Sequence, residues 1–364
     1  MTAAYPEFRQ TRCTRYRFRY SECRRCADAC PHDAIGLSDD GASVDVARCQ
    51  NCGLCSSACR TGAWDAGNMP RVELLKQAIK APQWSFACAP SGADADAVVP
   101  CLGAIDATML AYLCKRGIRV ELRGAEHCIA CAHGAQGAPQ IAANLEAATI
   151  LHEAAGDAWT AVTVVASSPE NPARPVAFVP GRRQLFRRLL GRAATEIHHA
   201  ADPVVVPEPI PDKAIRAARA FVTEQRELVQ IIAKTGERAP FRVREHEALP
   251  LMRLALAEGC TSCEACFRAC PTGALQVRES ETAWSLGFRV DLCVACEVCL
   301  EVCQPRVLHP VSEFDIAPGA AEDVLRALNK QRCRRCDRAF VSPGPTELCA
   351  ICVDDETAFD TVFG

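Results

Sequence analysis

Residues 260–271 read CTSCEACFRACP, and residues 293–305 read CVACEVCLEVCQP. In both stretches cysteines recur at intervals of three, three and four residues. Thiolates on this spacing let a short loop wrap one corner of an iron–sulfur cube, while the last cysteine, expected to start a helix, points away toward a second cube. Soft thiolates also suit zinc, but zinc sites typically join two separated CxxC pairs and have little use for a triple-plus-one run present twice. The segment ALQV at 274–277, just after the first run, reads as a short strand.

On these residues the region resembles bacterial two-cluster ferredoxins, and the whole chain a polyferredoxin-like multidomain protein. The resemblance implies a pseudo-symmetric module of two hairpins and two helices. It assigns Cys260, Cys263, Cys266 and Cys303 to one [4Fe-4S] cluster, and Cys293, Cys296, Cys299 and Cys270 to the other. Pro271 and Pro305 turn the chain away, Pro305 displaced by the inserted Gln304.

The pattern recurs upstream, as CRRCADACP at 23–31 and CQNCGLCSSAC at 49–59, with HDAI and TGAW where short strands are expected. Cys49, Cys52, Cys55 and Cys30 form a regular set. The other set holds Cys23, Cys26 and Cys59 but has Tyr20 where its first cysteine belongs. Cys13, ten residues upstream of Cys23, is the proposed fourth ligand, with the intervening TRYRFRYSE looped outward. An open iron corner or a three-iron cluster is the competing reading. Arg9, Arg12, Arg15, Arg17, Arg19, Arg24 and Arg25 crowd this region between Tyr16, Phe18 and Tyr20. Such interleaving can bind nucleic acid, but beside a cluster it reads as a cationic collar that raises the potential and steers an acidic redox partner.

Between the two modules, β-branched runs at 98–99, 118–122 and 162–165 alternate with helical stretches at 104–116 and 138–155, an α/β pattern. Cys88, Cys101, Cys128 and Cys131 follow strands or begin helices, so an open sheet brings them to one edge. The distribution is similar to small subunits of hydrogenase and heterodisulfide reductase complexes, which implies a [2Fe-2S] cluster. A further iron–sulfur cluster, zinc and unligated thiols all remain open at this site, with His127 and His133 as additional ligand candidates. Cys114, in MLAYLC, reads as a buried small hydrophobe. Proline-rich tracts at 167–175 and 201–211 read as linkers around a basic amphipathic helix, GRRQLFRRLLGR at 181–192. A second helix is expected over 212–234, capped by Asp212 after Pro211. At the far end, Cys333 and Cys336 pair with Cys349 and Cys352 as two knuckles that suit a zinc ribbon.

The expected architecture is therefore α+β: a two-cluster module at 1–70, an α/β middle domain at 71–180, a helical linker region at 181–250, a second two-cluster module at 251–315 and a ribbon at 322–356. A chain of 364 residues that is 49% apolar can bury real cores, and 41 basic against 44 acidic side chains exclude a molecule built to coat nucleic acid. The 25 cysteines, most of them in CxxC-type runs toward both ends, point to metal thiolates and a cytoplasmic, reducing compartment, not to disulfides. The N-terminus shows no signal-peptide core, and no apolar stretch reaches the roughly 20 residues of a membrane span, so any membrane attachment is expected through a partner. Phosphate-binding glycine loops, GxSxG and HExxH are absent from the sequence, which leaves no catalytic residues to name. The expectation is an electron-transfer subunit working with redox partner proteins such as a molybdenum or flavin oxidoreductase. An assembly or maturation factor is the alternative, and an enzyme using the middle-domain cysteines a third class.

Overall fold

A computed structural model describes residues 5–156, 159–166, 214–216, 219–234, 240–316 and 322–355. The basic helix at 181–192, both proline tracts and Asp212 lie outside the described residues.

The first module runs strand, helix, hairpin, helix, strand. β1 (Glu7–Phe8) pairs antiparallel with β4 (Trp64–Asp65), and β2 (Ile35–Ser38) with β3 (Gly41–Val44), which closes the two ends of the module with two small ladders. Short helices at Arg25–Asp28 and Leu54–Ala58 lie between them. Phe8 stacks on Trp64 at 4.7 Å, so the β1–β4 pair is fixed by an aromatic contact as well as by its ladder.

The middle domain is a parallel four-stranded sheet in the order β6-β5-β7-β8, built from β5 (Gln83–Cys88), β6 (Ala97–Val99), β7 (Arg119–Arg123) and β8 (Val162–Val165). Helices Ala107–Lys115 and Gly134–Ala155 cover it. The first is capped by Asp106, whose carboxylate accepts from the Thr108 and Met109 amides and pairs with Arg71 on the helix before the sheet. Phe86, Val120 and Leu122 fill the layer beneath. Cys114 is buried there, its thiol pushed up to about 11 by burial.

The second module repeats the order of the first. β10 (Arg253–Leu256) pairs with β13 (Leu308–Val311), β11 (Leu275–Glu279) with β12 (Ala283–Phe288), and the helices are Ala265–Ala269 and Val298–Val302. β9 (Arg242–Arg244) joins β14 (Glu313–Asp315), and the long β15 (Asp323–Arg332) pairs with β12 and with β16 (Ala339–Ser342), so the C-terminal hairpin extends the second module's sheet.

Two expectations are corrected. The helix expected over 212–234 begins only at Glu224 and ends at Ala233, capped by Thr223, which accepts from the Arg226 amide; residues 214–216 are extended, and Ile215 bridges Phe18. The described part of the region read as a linker is also structural. Val229, Ile232, Ala233, Phe241 and Val243 join a single apolar core that runs from Phe86 and Leu122 of the middle domain to Trp284 and Phe288 of the second module. The two cluster modules meet separately, through Phe18 of the inserted segment, which packs with Ala269, Val298 and Val302. Phe18→Ala removes that wedge and is expected to cost about 3 kcal/mol, in line with other aromatic truncations; a lower denaturant midpoint and faster proteolysis within 14–22 are the readouts.

Candidate metal centres

Three of the four cysteine loops share one backbone device. Asn51 and Gly53, Ser262 and Glu264, and Ala295 and Glu297 all adopt positive φ, between the first and second and between the second and third cysteines of their runs. Left-handed backbone costs a non-glycine residue of order 1 kcal/mol or more, and is kept where it turns successive N–H groups inward toward an anion. The Asn51 amide donates to Cys49 Sγ and the Ala295 amide to Cys293 Sγ, each at 3.4 Å. The loop of Cys23 and Cys26 lacks the device.

Beside that loop lies Cys13. A single cavity is lined by Cys13, Cys23, Cys26 and Cys59, and Cys13 takes its charge interactions from Cys59 and Cys23. It follows β1 much as Cys260 follows β10, and the segment between Cys13 and Cys23 bulges outward, beginning with the helix Thr14–Arg17. Cys30, Cys49, Cys52 and Cys55 form the neighbouring group. In the second module Cys260, Cys263, Cys266 and Cys303 line one cavity, and Cys270, Cys293, Cys296 and Cys299 converge beside it. The third cysteine of each run, not the fourth as the spacing suggested, lies in the short helix. Cys59, Cys270 and Cys303 instead terminate their helices, which is how they reach across to the other run's group.

Burial dominates these sulfurs. It pushes the Cys13 thiol up to about 11, Cys26 and Cys266 up to about 12, and Cys55, Cys296 and Cys299 well above the ordinary range. Several thiols crowded in dry pockets are neutral on their own at ordinary pH, and become thiolates when a cation compensates them. The donor set is therefore suited to a thiophilic metal.

In the middle domain Cys88 ends β5, Cys101 follows β6, and Cys128 and Cys131 flank a turn after β7. The parallel sheet delivers all of them to its C-terminal edge, where Cys101 interacts with Cys88 and Cys128, and Cys128 with Cys131. The 22-residue helix Gly134–Ala155 begins here, and its partial positive end favours thiolates. A Cβ on Gly137 would sit 3.1 Å from Cys101 Sγ, and one on Gly134 would collide with the Cys128 carbonyl, so glycine permits the close approach. Asn144 ties the helix to the Cys101 turn by donating to Gly103 and Ile105 carbonyls at 3.1 and 2.8 Å. His133 is buried, stacks edge-on to His32 at 5.1 Å, and is held down to about 4 by burial and that neighbour. His127 pairs with Glu126.

The C-terminal quartet is tighter. Cys333, Cys336, Cys349 and Cys352 place their sulfurs all within 4.8 Å of one another, with Cys336 and Cys349 at 3.8 Å. A tetrahedron with metal–sulfur bonds of about 2.3 Å has edges of about 3.8 Å, so this group fits one ion, not a cube. The Cys349 amide donates to Cys333 Sγ at 3.3 Å and lowers that thiol, while burial raises Cys352.

The arginine collar is largely internal. Arg9 pairs with Asp65, Arg19 with Asp39, Arg24 with Asp28 and Arg25 with Glu297, while Arg15 donates to backbone carbonyls and Arg12 lies over Phe221. Sequence reasoning missed Arg60, which joins Glu297 at 2.9 Å and the Glu247 carbonyl at 2.7 Å across the module boundary. The signal was the position after Cys59, where Cys30 and Cys270 are followed by proline.

A family model described as a 4Fe-4S dicluster domain matches residues 21–63, and a second of the same description matches residues 259–308. The chain carries two ferredoxin-type iron–sulfur domains. Comparison with curated proteins gives no match. Cys13 lies upstream of the first match, so its place beside Cys23 and Cys59 is information the fold adds. The described helices include none long and apolar enough to cross a membrane. Cys13→Ala is expected to remove about four irons per chain or leave a three-iron signal, whereas Cys114→Ala keeps the full metal content; iron analysis with low-temperature EPR compares them.

Proposed function

We propose that the chain relays single electrons through four [4Fe-4S] clusters. These are held by Cys13, Cys23, Cys26 and Cys59; by Cys30, Cys49, Cys52 and Cys55; by Cys270, Cys293, Cys296 and Cys299; and by Cys260, Cys263, Cys266 and Cys303. A fifth centre, of iron–sulfur type, is assigned to Cys88, Cys101, Cys128 and Cys131. The observation that carries the reading is the continuity of sulfur neighbours from group to group. Cys101 interacts with Cys52, Cys55 with Cys26, Cys296 with Cys23, and Cys299 with Cys266. Bound clusters supply one-electron chemistry without rearranging the chain. The protein's part is to fix the groups in a row, exclude water from the inner ones and leave the ends within reach of partners. Cys263 is exposed at one end, and Ile129, between Cys128 and Cys131, is 99% exposed at the other.

Deep burial of Cys293 and Cys299 favours resident clusters over clusters carried for donation, since release would require opening the shared core. The partners on this reading are redox proteins, among which a molybdenum or flavin oxidoreductase fits a single-electron supply. The C-terminal quartet holds zinc as a structural clamp on the hairpin β15–β16. Anaerobically purified protein is expected to contain about sixteen irons in four cubes and about one zinc, with iron above sixteen assigned to the middle site. Colourless material with zinc throughout would sink the proposal. Chelation that strips the zinc should destabilise the tail while leaving the reduced EPR spectrum unchanged.

A further inference from the structure

We infer that the group Cys270, Cys293, Cys296 and Cys299 is the electron-collecting centre of the chain, tuned by buried arginines delivered from outside its own run; the inference rests on the cluster reading above. Arg17 comes from the inserted segment of the first module, Arg60 from the end of that module, and Arg226 from the helix Glu224–Ala233. They are 3%, 8% and 1% exposed. Arg17 interacts with Cys270 and Cys296, Arg60 with Cys296 and Cys293, and Arg226 with Cys293.

Burying a guanidinium is costly unless charge and hydrogen bonds compensate it. Part of the compensation is backbone. Arg17 Nη2 donates to the Cys270 carbonyl at 3.0 Å, and Arg226 donates to the Asp291 and Val290 carbonyls at 2.7 and 2.6 Å. Arg60 donates to the Ala295 carbonyl and to Glu297. The remainder is unmet by protein: Arg17 Nε and Nη1 and Arg226 Nη1 are buried without a hydrogen-bond partner among the described residues. Carboxylates offset the charge only in part. Glu297 is shared by Arg25 and Arg60 and is 38% exposed, Asp291 is engaged by Arg289, and Arg17 pairs with no carboxylate among the described residues.

A cubane ligated by four thiolates is anionic, and each reduction adds one more negative charge. Buried cations and N–H donors aimed at its sulfurs favour the reduced form more than the oxidised one and raise the potential. The other groups have a weaker surround: Arg15 and Arg25 line the cavity of Cys13, Cys23, Cys26 and Cys59 beside Arg60, but both are partly exposed, Arg15 donating to the Ser38 and Cys23 carbonyls and Arg25 pairing with Glu297. Cys263 is exposed and its neighbour Glu264 is already paired with Arg268, while Cys52 and Cys55 feel chiefly burial and other thiols. Electrons entering at either end are therefore expected to settle at the group next to the Cys263 end of the row, at the junction between the two ferredoxin-type domains.

The test is a dithionite titration of the full anaerobic chain through redox mediators, followed by EPR, each cubane taking one electron from the mediator pool. Loss of a wave in Cys293→Ala assigns it to this group. In the unmodified protein that wave is expected at the highest potential of the cubane waves. Arg17→Gln and Arg226→Gln should each lower it by about tenfold or more in the reduction equilibrium, about 59 mV for one electron, at unchanged iron content. Arg17→Lys, which keeps the charge, should lower it less, and exposed Arg268→Gln should leave it in place. A different cubane at the top of the unmodified titration would overturn the inference, whatever the variants do. So would iron-replete Arg17→Gln and Arg226→Gln with an unmoved midpoint. A chain lacking cubane iron altogether would instead refute the relay reading, before any titration.

Discussion

Crowded sulfur in dry surroundings is the constraint on which this molecule is built. Cysteine thiols buried beside one another resist ionisation, as the elevated Cys13, Cys26, Cys266 and Cys299 thiols record. A metal compensates them only if the backbone holds all the sulfurs at once. The chain meets that demand locally with left-handed residues at positions such as Ser262, Glu264, Ala295 and Glu297, none of them glycine. Strain there is tolerable because the loop's inward N–H groups and the metal–thiolate bonds both reward the same conformation.

Much of this was legible in the sequence because ligand spacing is a local property. The three regular loops follow directly from intervals of three, three and four residues. Convergence of Cys88, Cys101, Cys128 and Cys131 was legible for a different reason: parallel strands end on one edge, and a residue after each strand is carried there by topology. Spacing does not say whether the third or the fourth cysteine lies in the short helix, and here it is the third. The start of the helix at Glu224 was misread. Its cap is Thr223, and the preceding residues are drawn into extended structure by pairing with Phe18, some two hundred positions away in sequence.

The arginines show most clearly where sequence reading stops. Seven of them in one short stretch look like a surface patch when their partners are unknown. The fold supplies Asp65, Asp39 and Glu297, each distant in sequence from the arginine it pairs with. It also buries Arg17 almost completely. Charge run and charge patch are different things, and only three-dimensional pairing separates them.

The place of Cys13 beside Cys23, Cys26 and Cys59 connects these points. A regular run would have kept its first cysteine three residues before Cys23 and left no chain to spare between them. With Cys13 lining that cavity, residues 14–22 are free to leave the first domain, place Phe18 among Ala269, Val298 and Val302, and carry Arg17 to the Cys270 carbonyl. The position of Cys13, domain docking and the electrostatics of the neighbouring group are thus consequences of one insertion. Shortening that segment to the regular spacing could restore the local loop, but it would remove both the apolar wedge and the buried cation. The irregular spacing is better explained by what the loop does at the domain boundary than by any need of the cysteine run beside it.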